Sequence, residues 1–318
     1  MSLTMLFRKS AMFKKVDKLE DAVSTRKDVI RPADDSPERF EIMRETLKRG
    51  GSGPPVKMIP IMIPTLGGIR KSLKSLADNP AAPKTHASPA LIEEIEQLAI
   101  EHGASSIGYA KVSPRWVFQN KAILFDNAIV FAMQMDKARM DTAPSPSCMQ
   151  TVMETYRDQG RLANKIAARL RKHGVGAHAG HPLMGLALYP PMAQRAGLGW
   201  MGLNGIIITP EHGPRVRLAA VFTSLEDLPF GEDNEHAWVE DFCDSCRICI
   251  KECPPQALYG EPELHDNGRM TYVENELCFP YFSDYYGCSV CVKVCPFNQQ
   301  DYEKIKESYF AAKKRARI

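Results

Sequence analysis

Eight of the nine cysteines in this 318-residue chain fall between Cys243 and Cys295, in two runs that end alike. The first is Cys243-x2-Cys246-x2-Cys249-x3-Cys253-Pro254, and the second is Cys288-x2-Cys291-x3-Cys295-Pro296. Three thiolates this closely spaced can wrap one four-iron cube, while the proline turns the fourth toward a second cube. The second run lacks its opening member, because Tyr285 stands in that place; Cys278, ten residues before Cys288, is near enough to replace it. Exchange of the fourth ligands assigns Cys243, Cys246, Cys249 and Cys295 to one [4Fe–4S] cluster. It assigns Cys278, Cys288, Cys291 and Cys253 to the other. Structural zinc favours separated cysteine pairs or Cys/His mixtures, and disulfides are unusual in a chain without a secretory signal. Two [4Fe–4S] clusters are therefore the expectation, with Cys148 an ordinary thiol.

The net charge of +3 is too small to point to nucleic acid, and the basic residues at both ends read as solvated tails. No apolar run approaches the ~20 residues of a spanning helix; Ile59 to Leu66 is short and broken by Pro60 and Pro64. With neither a secretory nor a twin-arginine signal, a cytoplasmic location is expected. Residues 1–85 read as an extension and linker, with one charged helix from Arg26 to Gly53 and a Pro/Ala-rich stretch from Asn79 to Pro89. An α+β domain is expected over 86–235. Ser88 caps its first helix, and Ile107–Val112 and Ala122–Met135 are strands. A long amphipathic helix from Met149 to His173 stops at Gly174. Val175–Ala179 is a short strand, and Ile206–Thr209 pairs with Val216–Thr223. The cysteine module occupies 236–300 and a basic tail 301–318.

Ahead of the cysteines, Gly197, Gly199, Gly202 and Gly205 fall within nine positions. Such a turn lets backbone approach a flat or charged ligand, but its spacing is not the dinucleotide fingerprint. The series Ala196-Gly-Leu-Gly-Trp200, Ile208-Thr-Pro-Glu-His-Gly-Pro-Arg-Val-Arg-Leu218, Val221-Phe-Thr223 and the two cysteine runs resembles the corrinoid-dependent reductive dehalogenase and epoxyqueuosine reductase superfamily. The resemblance covers about residues 86–300. It implies a nitroreductase-like domain holding base-off cobalamin, followed by a bacterial 2[4Fe–4S] ferredoxin-like module that supplies electrons.

The same resemblance implies site residues. Tyr156, eighteen residues before Gly174, matches the dehalogenase proton donor, and Arg215 its helper. Gly197, Gly199, Trp200, Gly202, Asn204 and His181 match the corrinoid pocket. Without the resemblance, Tyr156 reads as core packing and Arg215 as a paired strand arginine. The epoxyqueuosine branch carries an aspartate before its glycine turn; Leu183 stands there, and no Asp or Glu lies between Gly160 and Pro210. The implied activity is reductive cleavage of a carbon–halogen or similar bond in a small organic substrate. The implied partner is a low-potential donor of ferredoxin or flavodoxin type. The rival readings are epoxide reduction on tRNA, and electron transfer with no small substrate. The acidic stretch Glu232, Asp233, Glu235, Glu240 and Asp241 beside the first cluster reads first as a solvated loop, the alternative being that it lowers that cluster's potential.

Overall fold

The computed structural model describes residues 11–37, 58–183, 185–231, 233–266 and 270–316. Its centre is an antiparallel sheet in the order β1-β2-β6-β3, made of Ala104–Lys111 (β1), Asn127–Gln134 (β2), Ala177–Gly180 (β3) and Val216–Thr223 (β6). Alternate residues of a strand face opposite sides, and both sides are covered here. Ile129, Phe131, Ala219 and Val221 meet Pro89–Glu101 (α3) and the long helix Pro146–Lys172 (α4), through Ile95, Leu162, Ile166 and Leu170. Val130, Ala132, Ala220 and Phe222 meet Tyr189–Arg195 (α5), through Met192 and Ala193. This double cover explains why β2 reads as an unbroken apolar run.

The helix signals act as expected. Ser88 Oγ accepts from the Leu91 amide at 3.2 Å, and Gly174 ends α4 with φ +82°.

Several expectations need correction. Over Arg26–Pro37 the charged helix does not form, and its remainder lies outside the described residues. Ahead of the domain, Ala11–Ser24 (α1) and Ile59–Lys74 (α2) are part of its body. Val23, Leu66, Ile69 and Leu73 pack with Ala122 and Leu124. Pro60 sits where a first turn needs no amide donor, and the helix continues through Pro64. The strand at 206–209 does not pair with β6. Ile207–Ile208 (β5) pairs with Trp200–Met201 (β4), and β6 pairs with β2 and β3.

The cysteine module begins with Trp238–Cys246 (α6). It continues through a hairpin of Leu258–Leu264 (β7) and Met270–Val273 (β8) to Asn275–Asp284 (α7). Its two cysteine runs repeat one backbone device. Arg247 follows Cys246 with φ +53°, and Ser289 follows Cys288 with φ +67°. Left-handed residues are costly outside glycine, and the same one at both places turns each run around its own centre. The basic tail is a helix, Tyr302–Ala316 (α8). Tyr302 and Tyr309 of α8 stand 5.2 and 5.5 Å from the Trp238 ring, centre to centre.

Candidate redox and proton-donor site

The eight cysteines gather in two groups, each drawing one member from the far run. One cavity is lined by Cys243, Cys246, Cys249 and Cys295, under Gly202, Leu203 and Asn204 of the glycine turn. A second, of about 180 Å³, is lined by Cys253, Cys278, Cys288 and Cys291. Among the described residues no three His, Cys, Asp or Glu side chains close on a single metal ion. The thiols line the two cavities, four to each.

Burial pushes Cys243 up to about 12 and Cys278 up to about 11, and neighbouring thiols of the same group push further. Without metal these groups therefore hold thiols. Iron must displace the protons as it binds. Cys148 is also buried, with burial raising its pKa against a hydrogen bond from Ser289; it borders the second group without being one of the four. The acidic stretch is partly neutralised, since Lys306 reaches Glu235 at 3.5 Å and Lys313 pairs with Asp241. Glu232 lies outside the described residues.

Tyr156 lies on α4 at a seam. On one side it packs against the buried cluster of Met135, Met140, Ala143, Cys148, Val152 and Val292, on which Cys291 of the second cysteine group also packs. Met149, Met153, Tyr156 and Gly160 recur at helical spacing along the same face, and the two methionines meet α2. The arginine over the Tyr156 ring is Arg217, its guanidinium carbon 5.0 Å from the ring centre. Arg217 also lines the second cavity. Its buried Nε has no hydrogen-bond partner, although the Arg217 carbonyl accepts from Gln159 Nε2.

Arg215, the residue just before β6, is bound elsewhere. Its Nε donates to Asn298 Oδ1 at 2.9 Å and its Nη1 to the Met135 carbonyl at 3.3 Å. Asn298 in turn donates to Asp141 at 2.9 Å. Arg215 thus fastens the sheet to the cysteine module, and burial lowers its pKa.

The glycine turn serves mainly the fold. A Cβ at Gly199 (φ +154°) would fall on the Ile208 carbonyl oxygen, so this glycine permits the β4–β5 pairing. Gly197 (φ +72°) faces open space, and Gly202 lies against Ile208 and Asn204. Trp200 borders a separate groove of about 760 Å³, with Trp116, Gln194 and Tyr272. Asn204 alone of the turn residues named from the sequence borders both cysteine cavities. His181 is buried between Gly160 and Gly68 of α2, with Nδ1 against the Leu183 carbonyl at 3.2 Å and no partner for Nε2. Burial depresses its pKa to about 4.

The cavity beside Tyr156 therefore offers an unpartnered Arg217 Nε, Asn204 and Ser289 as polar contacts, with Ile206, Val292 and Phe282 as apolar ones. The four thiols of the second group line the same cavity of about 180 Å³, so its space belongs to the second cube.

The family model for a 4Fe-4S dicluster domain matches residues 242–299. A tetrachloroethene reductive dehalogenase of Desulfitobacterium hafniense is 35% identical over 215 residues, which are 62% of this chain and 37% of that protein. An epoxyqueuosine reductase of Listeria monocytogenes is 35% identical over 115 residues, 34% of this chain and 29% of its own. The homologues of this chain are reductive dehalogenases and epoxyqueuosine reductases. Both kinds of relative are oxidoreductases. This chain spans well under half the length of either. A solved reductive dehalogenase, for which B12-dependent dehalogenation is described, superposes with a TM-score of 0.62 at 23% identity. It covers 77% of this chain and 38% of its own, and shares the fold.

Proposed function

We propose that this chain is an iron–sulfur, corrinoid-dependent reductase of reductive-dehalogenase type. The observation that carries the reading is the Tyr156–Arg217 pair, with Arg217 lining the cavity of the second cysteine group. A proton donor, a fixed positive charge and an electron source then share one seam.

The overall change is R–X + 2e⁻ + H⁺ → R–H + X⁻. Cys243, Cys246, Cys249 and Cys295 hold one [4Fe–4S] cluster, and Cys253, Cys278, Cys288 and Cys291 hold the other. Each cluster passes one electron at a time, the second being nearer Tyr156. A corrinoid would supply the carbon–halogen bond-breaking chemistry. Tyr156 delivers the proton from its hydroxyl. The Arg217 guanidinium offsets the negative charge left on the ring, as cations placed over aromatic faces do. A low-potential ferredoxin or flavodoxin is the proposed donor.

Epoxide reduction on tRNA fits less well. Leu183, where that branch has its aspartate, is packed among Met58, Ile61 and Met62. The test is anaerobic turnover with reduced viologen against a halophenol panel and, separately, against an epoxyqueuosine-bearing tRNA. Halide release supports the reading. Activity on the tRNA alone would move the chain to the other branch, and activity on neither would leave an electron-transfer protein.

A further inference from the structure

The turn that joins β4 to β5 is inserted between the two thiol groups. Its Gly202 amide donates to the Ile206 carbonyl at 3.0 Å, and Gly205 (φ +70°) closes it. Gly202, Leu203 and Asn204 line the cavity of Cys243, Cys246, Cys249 and Cys295, while Asn204 and Ile206 line that of Cys253, Cys278, Cys288 and Cys291. Among the described residues Asn204 is the one common to both walls. It is 5% exposed and held at both ends of its amide. Its Oδ1 accepts from the Ile206 amide at 3.2 Å, and its Nδ2 donates to the Cys291 carbonyl at 3.4 Å. The two groups approach each other here. Burial pushes the Cys291 thiol up to about 12, and the charges that add to it come from Cys288 of its own group and next from Cys249 of the other.

We propose that Asn204 is the electron-relay residue of the chain, a single amide that acts on both [4Fe–4S] sites and sets their potentials together. The inference rests on the two-cluster reading and adds to it the group that stands between the sites. An asparagine amide has two N–H donors. Cys291 takes one, and the other has no protein acceptor among the described residues, which leaves it for sulfur. Hydrogen bonds to the sulfurs and nearby charge are among the terms that set such potentials. A residue on one wall moves one potential, and so changes the drop between the clusters. A residue on both walls moves the two together. The drop between them is then kept, and the step from the external donor changes instead.

The experiment is a redox titration of the full chain, reconstituted anaerobically and followed by electron paramagnetic resonance, with iron content as the check on loading. Asn204→Asp keeps an acceptor for the Ile206 amide and adds a negative charge between the sites. It should lower both midpoints, each by about 59 mV, a tenfold change in a one-electron equilibrium. Arg247 lines only the first cavity and Ser289 only the second. Both have positive φ, which Asn and Asp tolerate. Arg247→Asn should therefore lower one midpoint, and Ser289→Asp the other. Asn204→Ser keeps a hydroxyl for the turn without the amide, and should lower both midpoints by less than the aspartate does. A shift of one midpoint alone, or of neither, in a loaded Asn204 variant would overturn the proposal and leave Asn204 a turn former. Loss of iron in both Asn204 variants would also overturn it, assigning the residue to folding. A parent that loads about four irons, or none, would sink the two-cluster reading itself.

Discussion

Arg217 stands over Tyr156, its guanidinium carbon 5.0 Å from the ring centre, while Arg215 points to Asn298. The two arginines should therefore fail differently when replaced. Arg217→Gln should lower turnover by about one to three decades and leave the unfolding midpoint nearly unchanged. Arg215→Gln should leave Asn298 and the Met135 carbonyl short of a buried donor and destabilise the chain by about 1–3 kcal/mol. Steady-state kinetics and denaturant titration on both variants separate the roles. The reverse pattern would restore Arg215 as the helper.

Tyr156→Phe keeps the ring and its packing and removes only the proton. Turnover should fall by about two to four decades with iron content and corrinoid binding unchanged. Full activity would return Tyr156 to a packing role.

For the clusters, anaerobic reconstitution should give about eight irons per chain. Cys295→Ser should damage the cluster of Cys243, Cys246 and Cys249, and Cys253→Ser the cluster of Cys278, Cys288 and Cys291. Iron analysis with electron paramagnetic resonance of the reduced protein distinguishes the two. Loss of the Cys278 cluster on replacing Cys295 would show the ligands uncrossed.

Within the glycine turn, Gly199→Ala should cost about 2–4 kcal/mol, because its Cβ meets the Ile208 carbonyl as well as an unfavourable φ. Gly197→Ala meets nothing and pays only for φ, about 1 kcal/mol. Similar losses at both positions, by thermal unfolding, would mean that the β4–β5 pairing is not what Gly199 protects.

Stability should fall with acid through two histidines. Burial lowers His178 to about 3 and His181 to about 4, below the ~6.5 of an unfolded chain. Between about pH 4 and 6.5 the unfolded state therefore binds more protons, so stability rises with pH across that window and is lost as pH falls. Each histidine contributes at most about 1.4 kcal/mol per pH unit. His178, whose ring nitrogens both lack partners, can be replaced by Leu; unfolding midpoints from pH 4.5 to 7 should then change less steeply than in the parent.

The sequence was most readable where a local rule governs. The cysteine spacing depends only on cluster geometry, and both groups of four reappear around cavities. Ser88 and Gly174 act within one turn of their helix. What escaped were choices made by distant partners. Arg215 and Arg217 lie two residues apart at the start of β6, and only the positions of Asn298 and Tyr156 decide which arginine goes where. Pro60 and Pro64 made α2 look broken, yet a proline in a first turn costs little. Packing against α4 holds the rest. Gly199 resembled a ligand-facing glycine because an absent side chain does not reveal whether a ligand or a neighbouring strand needs the room.

Each thiol group takes three members from one stretch of chain and one from another: Cys295 joins the first run, and Cys253 joins Cys278, Cys288 and Cys291. Whichever cube is built first thereby clasps both stretches and brings the remaining four thiols to their places. Cluster insertion should accordingly be cooperative, with apo and fully loaded chains predominating at half-stoichiometric iron. For the cell that makes this protein, maturation is then a single commitment, and a chain with one cube would be a passing stage of biogenesis.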